Sequence, residues 1–173
     1  GYDLVITARR LDRLEELGES LRERWGCQVL TIQSDLSQPG SASEIYGKLR
    51  ESSIVPTLLV NNAGFGELAP FEKMEPERVA GMIELNCTGL AMLCRLFLPE
   101  MIAGGGGRIL NVSSVAAFQP GPFMAVYYAT KAFVQSFSEA LAEELAGRGV
   151  TVTALCPGPT RSEFQQEARM DTA

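Results

Sequence analysis

The chain contains no histidine. That excludes Ser-His-Asp and Cys-His catalysis and most zinc sites, all of which need an imidazole. Acid–base chemistry near neutral pH must then rest on a tuned Tyr, Lys, Cys, Asp or Glu. Cysteine is sparse and scattered: Cys27, Cys87, Cys94 and Cys156 form no CxxC pair. They read as reduced, buried thiols of a cytoplasmic protein, not as a disulfide frame or a metal site. Excess basic charge is absent too. The net charge is −6, so a nucleic-acid role has no electrostatic support. No apolar run approaches the roughly 20 residues that a membrane helix needs. The start, Gly1-Tyr2-Asp3, lacks the basic region of a signal peptide. The expectation is a cytoplasmic protein with neither a membrane nor a nucleic acid as partner.

What is present suits one folded domain over residues 1–173. The composition is 46% hydrophobic and 21% charged, near globular averages. Short β-branched or apolar runs at 4–8, 29–32, 58–60, 108–113 and 150–156 predict strands. Between them lie helical patterns. Leu11, Leu14, Leu17 and Leu21 mark one face of a helix that ends near Trp25-Gly26. Residues 41–53 follow a Pro39-Gly40 turn as a second helix. Leu90, Leu93, Cys94, Phe97, Leu98 and Met101 mark a longer one, closed by the glycines at 104–107. Ala132, Phe133, Phe137, Leu141 and Leu145 mark the last, which ends at Gly149. Strands that alternate with helices and are apolar on both faces predict a doubly wound α/β fold, a parallel sheet covered on both sides. Ligands then belong beyond the carboxyl ends of the strands.

Several polar groups converge there. Tyr127 and Lys131 are four residues apart at the start of a helix and share a face. A nearby ammonium favours phenolate, so such a tyrosine could exchange a proton near neutral pH. Asn61-Asn62-Ala63-Gly64 ends the third strand, Asn111-Val112-Ser113-Ser114 the fourth and Pro157-Gly158 the fifth. The glycines at 104–107 are not a phosphate cradle, because they follow a helix and enter a strand. Phe65, Phe118, Phe123, Met124 and Phe164 fall on loops near the mouth of this crevice, and either line an apolar pocket or pack the loops.

These motifs, in this order and spacing, resemble the short-chain dehydrogenase/reductase family. The resemblance rests on Asp35-Leu36, the NNAG at 61–64, Asn86, Ser114, Tyr127-xxx-Lys131 and Pro157-Gly158. Ser114 precedes Tyr127 by 13 residues, the usual family separation, which favours Ser114 over Ser113 and Tyr127 over Tyr128. The resemblance implies a Rossmann-like, doubly wound parallel sheet, here without the family's first strand and Gly-rich loop. It implies an oxidoreductase that moves a hydride between NADP(H) and a small carbonyl or alcohol. Tyr127 would be the general acid in reduction, and Lys131 would lower its pKa and bind the nicotinamide ribose. Ser114 would bind the substrate oxygen, and Asn86 would hold a relay water. Asn62, Ala63 and Gly64 would lie along the adenosine ribose, and Asp35 and Leu36 near the adenine. Pro157, Gly158, Thr160 and Ser162 would lie near the nicotinamide.

The family position that selects the nucleotide holds Ala8, followed by Arg9 and Arg10. Two guanidiniums suit a 2′-phosphate, so NADP(H) is expected in preference to NAD(H). Gly1 corresponds to the end of the family's first helix, and residues 159–173 to the beginning of its substrate lid. The expectation is therefore a fragment of a longer chain that binds NADP(H) poorly by itself and is a homodimer or homotetramer when full length. The alternatives are a non-catalytic NADP-binding regulator on the same scaffold, an inactive fragment, or an epimerase or dehydratase of the related extended group.

Overall fold

The computed structural model describes residues 1–160, Phe164 and Ala168. The elements run β1 (Leu4–Ala8), α1 (Leu11–Trp25), β2 (Val29–Gln33), α2 (Ser41–Glu51), β3 (Leu58–Asn61), α3 (Pro76–Ile83), α4 (Leu90–Ala103), β4 (Gly107–Val112), α5 (Ala125–Glu144) and β5 (Val150–Leu155). Strand and helix alternate as the sequence predicts, and every pairing is parallel. The fold is the Rossmann-like α/β class. It comprises two compact units, Gly1–Leu36 and Ser37–Ala173. The sheet is likewise in two hydrogen-bonded pieces, β1-β2 and β3-β4-β5.

The first unit is a single βαβ crossover, with β1 and β2 in register from Leu4↔Val29 to Ala8↔Gln33. Helix α1 lies over them through buried Leu14 and Gly18. A methyl on Gly18 would stand 3.1 Å from Thr31 Cγ2, so glycine sets how closely helix and strand approach. Gly26, in the left-handed region at φ 63°, returns its N–H to the Arg22 carbonyl and stops the helix.

In the second unit, α3 and α4 are joined by a six-residue π turn, Glu84–Gly89, so that helix continues from Pro76 to Ala103. That run is long and apolar enough, by length and composition, to cross a membrane. The sequence reading marked only the face from Leu90 to Met101 and found no apolar run of that length, so the continuation back to Pro76 corrects it. The helix is built as a core helix: Met82, Leu93, Cys94, Phe97 and Met101 are buried, and so is the polar Asn86 at its middle. Helix α5 begins at Ala125, which agrees with a helix expected to start near Tyr127.

Two further expectations are corrected. Helices flank the parallel strands as expected, but Val5, Leu30, Leu58 and Val60 remain exposed on strands that read as fully buried. Apolar character on both sides of a strand marks what it can bury, not what it does bury. Of the four cysteines only Cys94 is buried; Cys27, Cys87 and Cys156 are half-buried.

The glycines at 104–107 do structural work. Gly106 has φ 141°, and a methyl there would sit 2.5 Å from the Gly149 carbonyl oxygen. Gly107 N–H donates to that same carbonyl at 3.1 Å. The turn after α4 thus closes directly onto the turn after α5. Gly106→Ala should cost about 2–3 kcal/mol from backbone strain and overpacking. Urea unfolding checks this as a lower midpoint with an unchanged m-value.

Candidate active site

Parallel register brings the carboxyl ends of the second unit's strands to one edge. Asn61 pairs with Asn111, and Val112 with Leu155. Beyond the ladder, Ser113 N–H donates to the Leu155 carbonyl at 2.8 Å and Val115 N–H to the Pro157 carbonyl at 3.1 Å. The serine segment and Pro157-Gly158 therefore lie side by side.

Ser114 is extended and caps a 3-10 turn at Val115–Phe118, its Oγ accepting the Ala116 N–H at 3.1 Å. Ser114 also lies near enough to the Tyr127 phenol to act on its pKa. Ser113 differs. Its buried hydroxyl donates to the Lys131 main-chain carbonyl at 2.9 Å, which fixes the catalytic-face helix to β4.

Tyr127 is in the first turn of α5 and half-buried. Burial pushes its phenol above the ordinary value, against the lowering effect of the Ser114 hydroxyl; the neighbouring Tyr128 phenol adds to the rise. The sequence expectation had the Lys131 ammonium lowering it. Here Lys131 Nζ stands 5.8 Å from the Tyr127 ring centroid and donates to the Val112 carbonyl at 2.8 Å. Burial also lowers its own pKa to about 8, against the raising effect of the Cys87 and Cys156 thiols. Desolvation, not the ammonium, is thus the largest influence on the phenol.

Asn86 occupies the π turn between α3 and α4 and is 1% exposed. Its Oδ1 accepts Phe65 N–H at 3.1 Å, and its Nδ2 donates to Phe65 O at 2.9 Å and to Thr130 Oγ1 at 3.0 Å. Thr130 in turn donates to the Tyr127 carbonyl at 2.7 Å. The amide therefore ties the loop after β3 to the helix that carries Tyr127 and Lys131. A water held by Asn86 would have to use its main chain, because its side-chain groups already have protein partners.

Asn62 and Ala63 are exposed at the end of β3, where a ligand can reach them. A methyl on Gly64 would stand 3.1 Å from Asn86 Oδ1 and 3.5 Å from Lys131 Nζ. A methyl on Gly66 would stand 3.0 Å from the Tyr127 ring. Two missing β-carbons let this loop lie directly against Asn86, Lys131 and Tyr127. Pro157 is half-buried, whereas Gly158 and Thr160 are exposed. Ser162, with most of 159–173, lies outside the described residues.

In the first unit, Arg9 and Arg10 are exposed just beyond β1. Gln33 Nε2 donates to the Arg9 carbonyl at 3.0 Å, which holds the end of β1 to the end of β2. Asp35 and buried Leu36 follow β2 at the same end. Arg10 is the N-cap of α1 and makes no side-chain cap hydrogen bond. A cation placed there opposes the helix dipole.

Sequence reasoning missed a buried polar relay beneath the site. Asn61 Nδ2 donates to Asn111 Oδ1 at 2.9 Å, and Asn111 Nδ2 to Ser138 Oγ at 2.9 Å. Ser138 donates to the Val134 carbonyl at 2.7 Å. The relay fixes β3, β4 and α5 relative to one another. An asparagine amid the apolar run Ile109-Leu110-Val112 is the signal that would have found it, since a buried amide needs partners. Glu67 was missed as well: its carboxylate is 2% exposed and pairs with Arg78 Nε at 2.7 Å.

A parallel sheet of Rossmann-like class with Ser, Tyr and Lys gathered at its carboxyl edge defines a nucleotide-cofactor oxidoreductase scaffold. The chain matches the short chain dehydrogenase family model over residues 1–173, and it belongs to that family. It is 39% identical over 167 residues to a sulfoacetaldehyde reductase of Chromohalobacter salexigens, covering 95% of this chain and 65% of that protein. Among solved structures it is similar to a short-chain dehydrogenase from Sphingobium yanoikuyae in complex with NADPH. There the TM-score is 0.91 and the identity 37%, over 98% of this chain and 66% of the other. It is also similar to the bulky-bulky ketone specific alcohol dehydrogenase of Comamonas testosteroni, with TM-score 0.87 and 35% identity over 93% and 64%. The chain thus spans about two thirds of the length of these relatives.

Proposed function

We propose that the protein reduces carbonyls, and in reverse oxidises alcohols, with NADP(H). The observation that carries this reading is that Ser114 lies near enough to the Tyr127 phenol to oppose the rise in its pKa, with the Lys131 ammonium 5.8 Å from the same ring. A substrate carbonyl oxygen between the two hydroxyls would accept one hydrogen bond from Ser114 and one from Tyr127. As charge develops on that oxygen, the Tyr127 phenol donates its proton, and Ser114 stabilises what remains. Lys131 holds the ribose and supports the phenolate left behind. Asn86 acts as a positioning residue through Phe65 and Thr130. NADPH, when bound, supplies the hydride.

The residues suit that cofactor. Gly64 leaves room for a ribose against Lys131 and Asn86, a space that a β-carbon would fill. Asn62, Ala63, Pro157, Gly158, Thr160 and Ser162 would flank its nucleoside and nicotinamide parts, and Asp35 and Leu36 its adenine. Arg9 and Arg10 suit a 2′-phosphate, and the Sphingobium relative carries NADPH. We further take residues 1–173 as one incomplete cofactor-binding domain whose lid begins near 159. The full protein would pair through α4 and α5, where Met92 and Phe133 are exposed.

The test is a panel of carbonyls with NADPH and with NADH, using the full gene product. NADPH-dependent turnover is expected. Arg9→Ala should weaken NADPH by about tenfold while NADH changes little, as loss of one charge-assisted phosphate contact would. Equal effects on both nucleotides would remove Arg9 from the 2′-phosphate site.

A further inference from the structure

We propose that Glu67 and Arg78 are positioning residues for Tyr127, and that their buried pair holds the loop after β3 against the phenol ring that must pass a proton. This inference rests on the catalytic reading above.

Glu67 is the only charged residue between Asn61 and Phe71. Loop glutamates are rarely buried, yet the side chain of this one is 2% exposed. Its Oε2 accepts from Arg78 Nε at 2.7 Å. Arg78 stands in the first turn of α3. A cation there opposes the helix dipole, which the carboxylate offsets. Desolvation is costly for both charges, and a well-packed apolar pair would give as much cohesion. Stability alone therefore does not account for the pair, and its place in the structure does.

The Arg78 guanidinium also lies over the Phe65 ring, 4.6 Å from the centroid. One turn further along α3, Gly81 leaves room for the same ring, since a β-carbon there would stand 3.8 Å from Phe65 Cζ. Beyond it on the continuous helix, Asn86 binds the Phe65 N–H at 3.1 Å and the Phe65 carbonyl at 2.9 Å. The loop is thus fastened twice to one helix, at Phe65 by Asn86 and at Glu67 by Arg78. Gly66 lies between the two fastenings, and a β-carbon on it would stand 3.0 Å from the Tyr127 ring. Gly64, beyond the Asn86 fastening, is the residue set against Lys131. Loss of the Arg78 fastening therefore frees the Tyr127 side of the loop and leaves the Lys131 side held. Proton transfer should suffer, and NADPH binding should not.

The experiment uses the full gene product. It measures the NADPH Kd by fluorescence titration and the thermal midpoint. It also measures kcat and its solvent isotope effect with 4-nitrobenzaldehyde, or with the panel carbonyl that the wild type reduces fastest. Arg78→Met should lower kcat about tenfold, since small misplacements of reacting groups are costly. Its solvent isotope effect should rise as proton transfer becomes the slower step. The NADPH Kd should stay within about a factor of two, because the lost interaction acts on the transition state. Arg78→Met also leaves the Glu67 charge buried without this partner, so its midpoint should fall. Glu67→Gln combined with Arg78→Met removes that charge and should recover the midpoint but not kcat. Partial unfolding would lower the rate and leave the isotope effect unchanged. An unchanged isotope effect, a Kd that rises in step with the fall in kcat, or a double variant whose kcat recovers with its midpoint would make the pair purely structural and overturn the proposal. A wild-type kcat in Arg78→Met would overturn it and leave the catalytic reading intact. A wild type that reduces no carbonyl with NADPH would remove both.

Discussion

Tyr127→Phe should lower carbonyl reduction by about three orders of magnitude while leaving the protein folded. The substitution deletes one oxygen and keeps the ring, with its edge contact to Tyr128 at 6.1 Å and its contact with Gly66. What is lost is the proton donor, and positioned general acids contribute about 10²–10⁴-fold. Burial holds the phenol above its ordinary pKa, so Tyr127 keeps its proton throughout the neutral range. That is the form reduction requires. Alcohol oxidation needs the phenolate, so the reverse rate should climb with pH toward the alkaline side. Steady-state rates in both directions, with circular dichroism as a fold control, check this. Reduction within about tenfold of wild type would assign the proton to another group.

Lys131→Met should lower turnover by about a hundredfold and also remove a pH limb. The ammonium is buried, and its pKa is lowered to about 8. Desolvation favours the neutral amine, so the charge is present below pH 8 and lost as pH rises through it. A ribose contact and phenolate support that need the charge should fade over the same range. The profile of kcat/KM for NADPH reports groups of the free protein. It should fall above about pH 8 in the wild type and be flat there in Lys131→Met. Methionine is close to lysine in volume, so the packed stem is retained. A wild-type profile with no fall between pH 7 and 9.5 would separate the ammonium from the reaction.

The order of elements was legible because each strand is a short apolar run and each helix carries a 3.6-residue stripe. Gly26 and the glycines at 104–107 marked helix ends because left-handed backbone selects glycine. That Tyr127 and Lys131 share one face was legible because four residues on a helix is a fixed geometry, whereas Ser114 was singled out only through the family resemblance. Three things were not. The π turn leaves no compositional trace, as Glu84–Gly89 looks like ordinary helix. The state of the phenol depends on how much water surrounds it, and spacing does not record that. Asn61 joins Asn111 and Asn86 joins Thr130 through tertiary contacts up to 50 residues apart in sequence, and a one-dimensional pattern cannot register them.

The six-residue turn at Glu84–Gly89 also sets the phase of everything after it. A regular α-helix advances about 100° per residue, so one surplus residue rotates the downstream face by that angle. With it, Asn86 can aim at Phe65 and Thr130 while Cys94, Phe97 and Met101 still face inward. Shortening the segment by one residue would restore ideal helix geometry and force a choice between these two orientations. The irregular turn thus uncouples the amide's direction from that of the hydrophobic stripe, and lets a single helix serve reactivity at its centre and cohesion at its end.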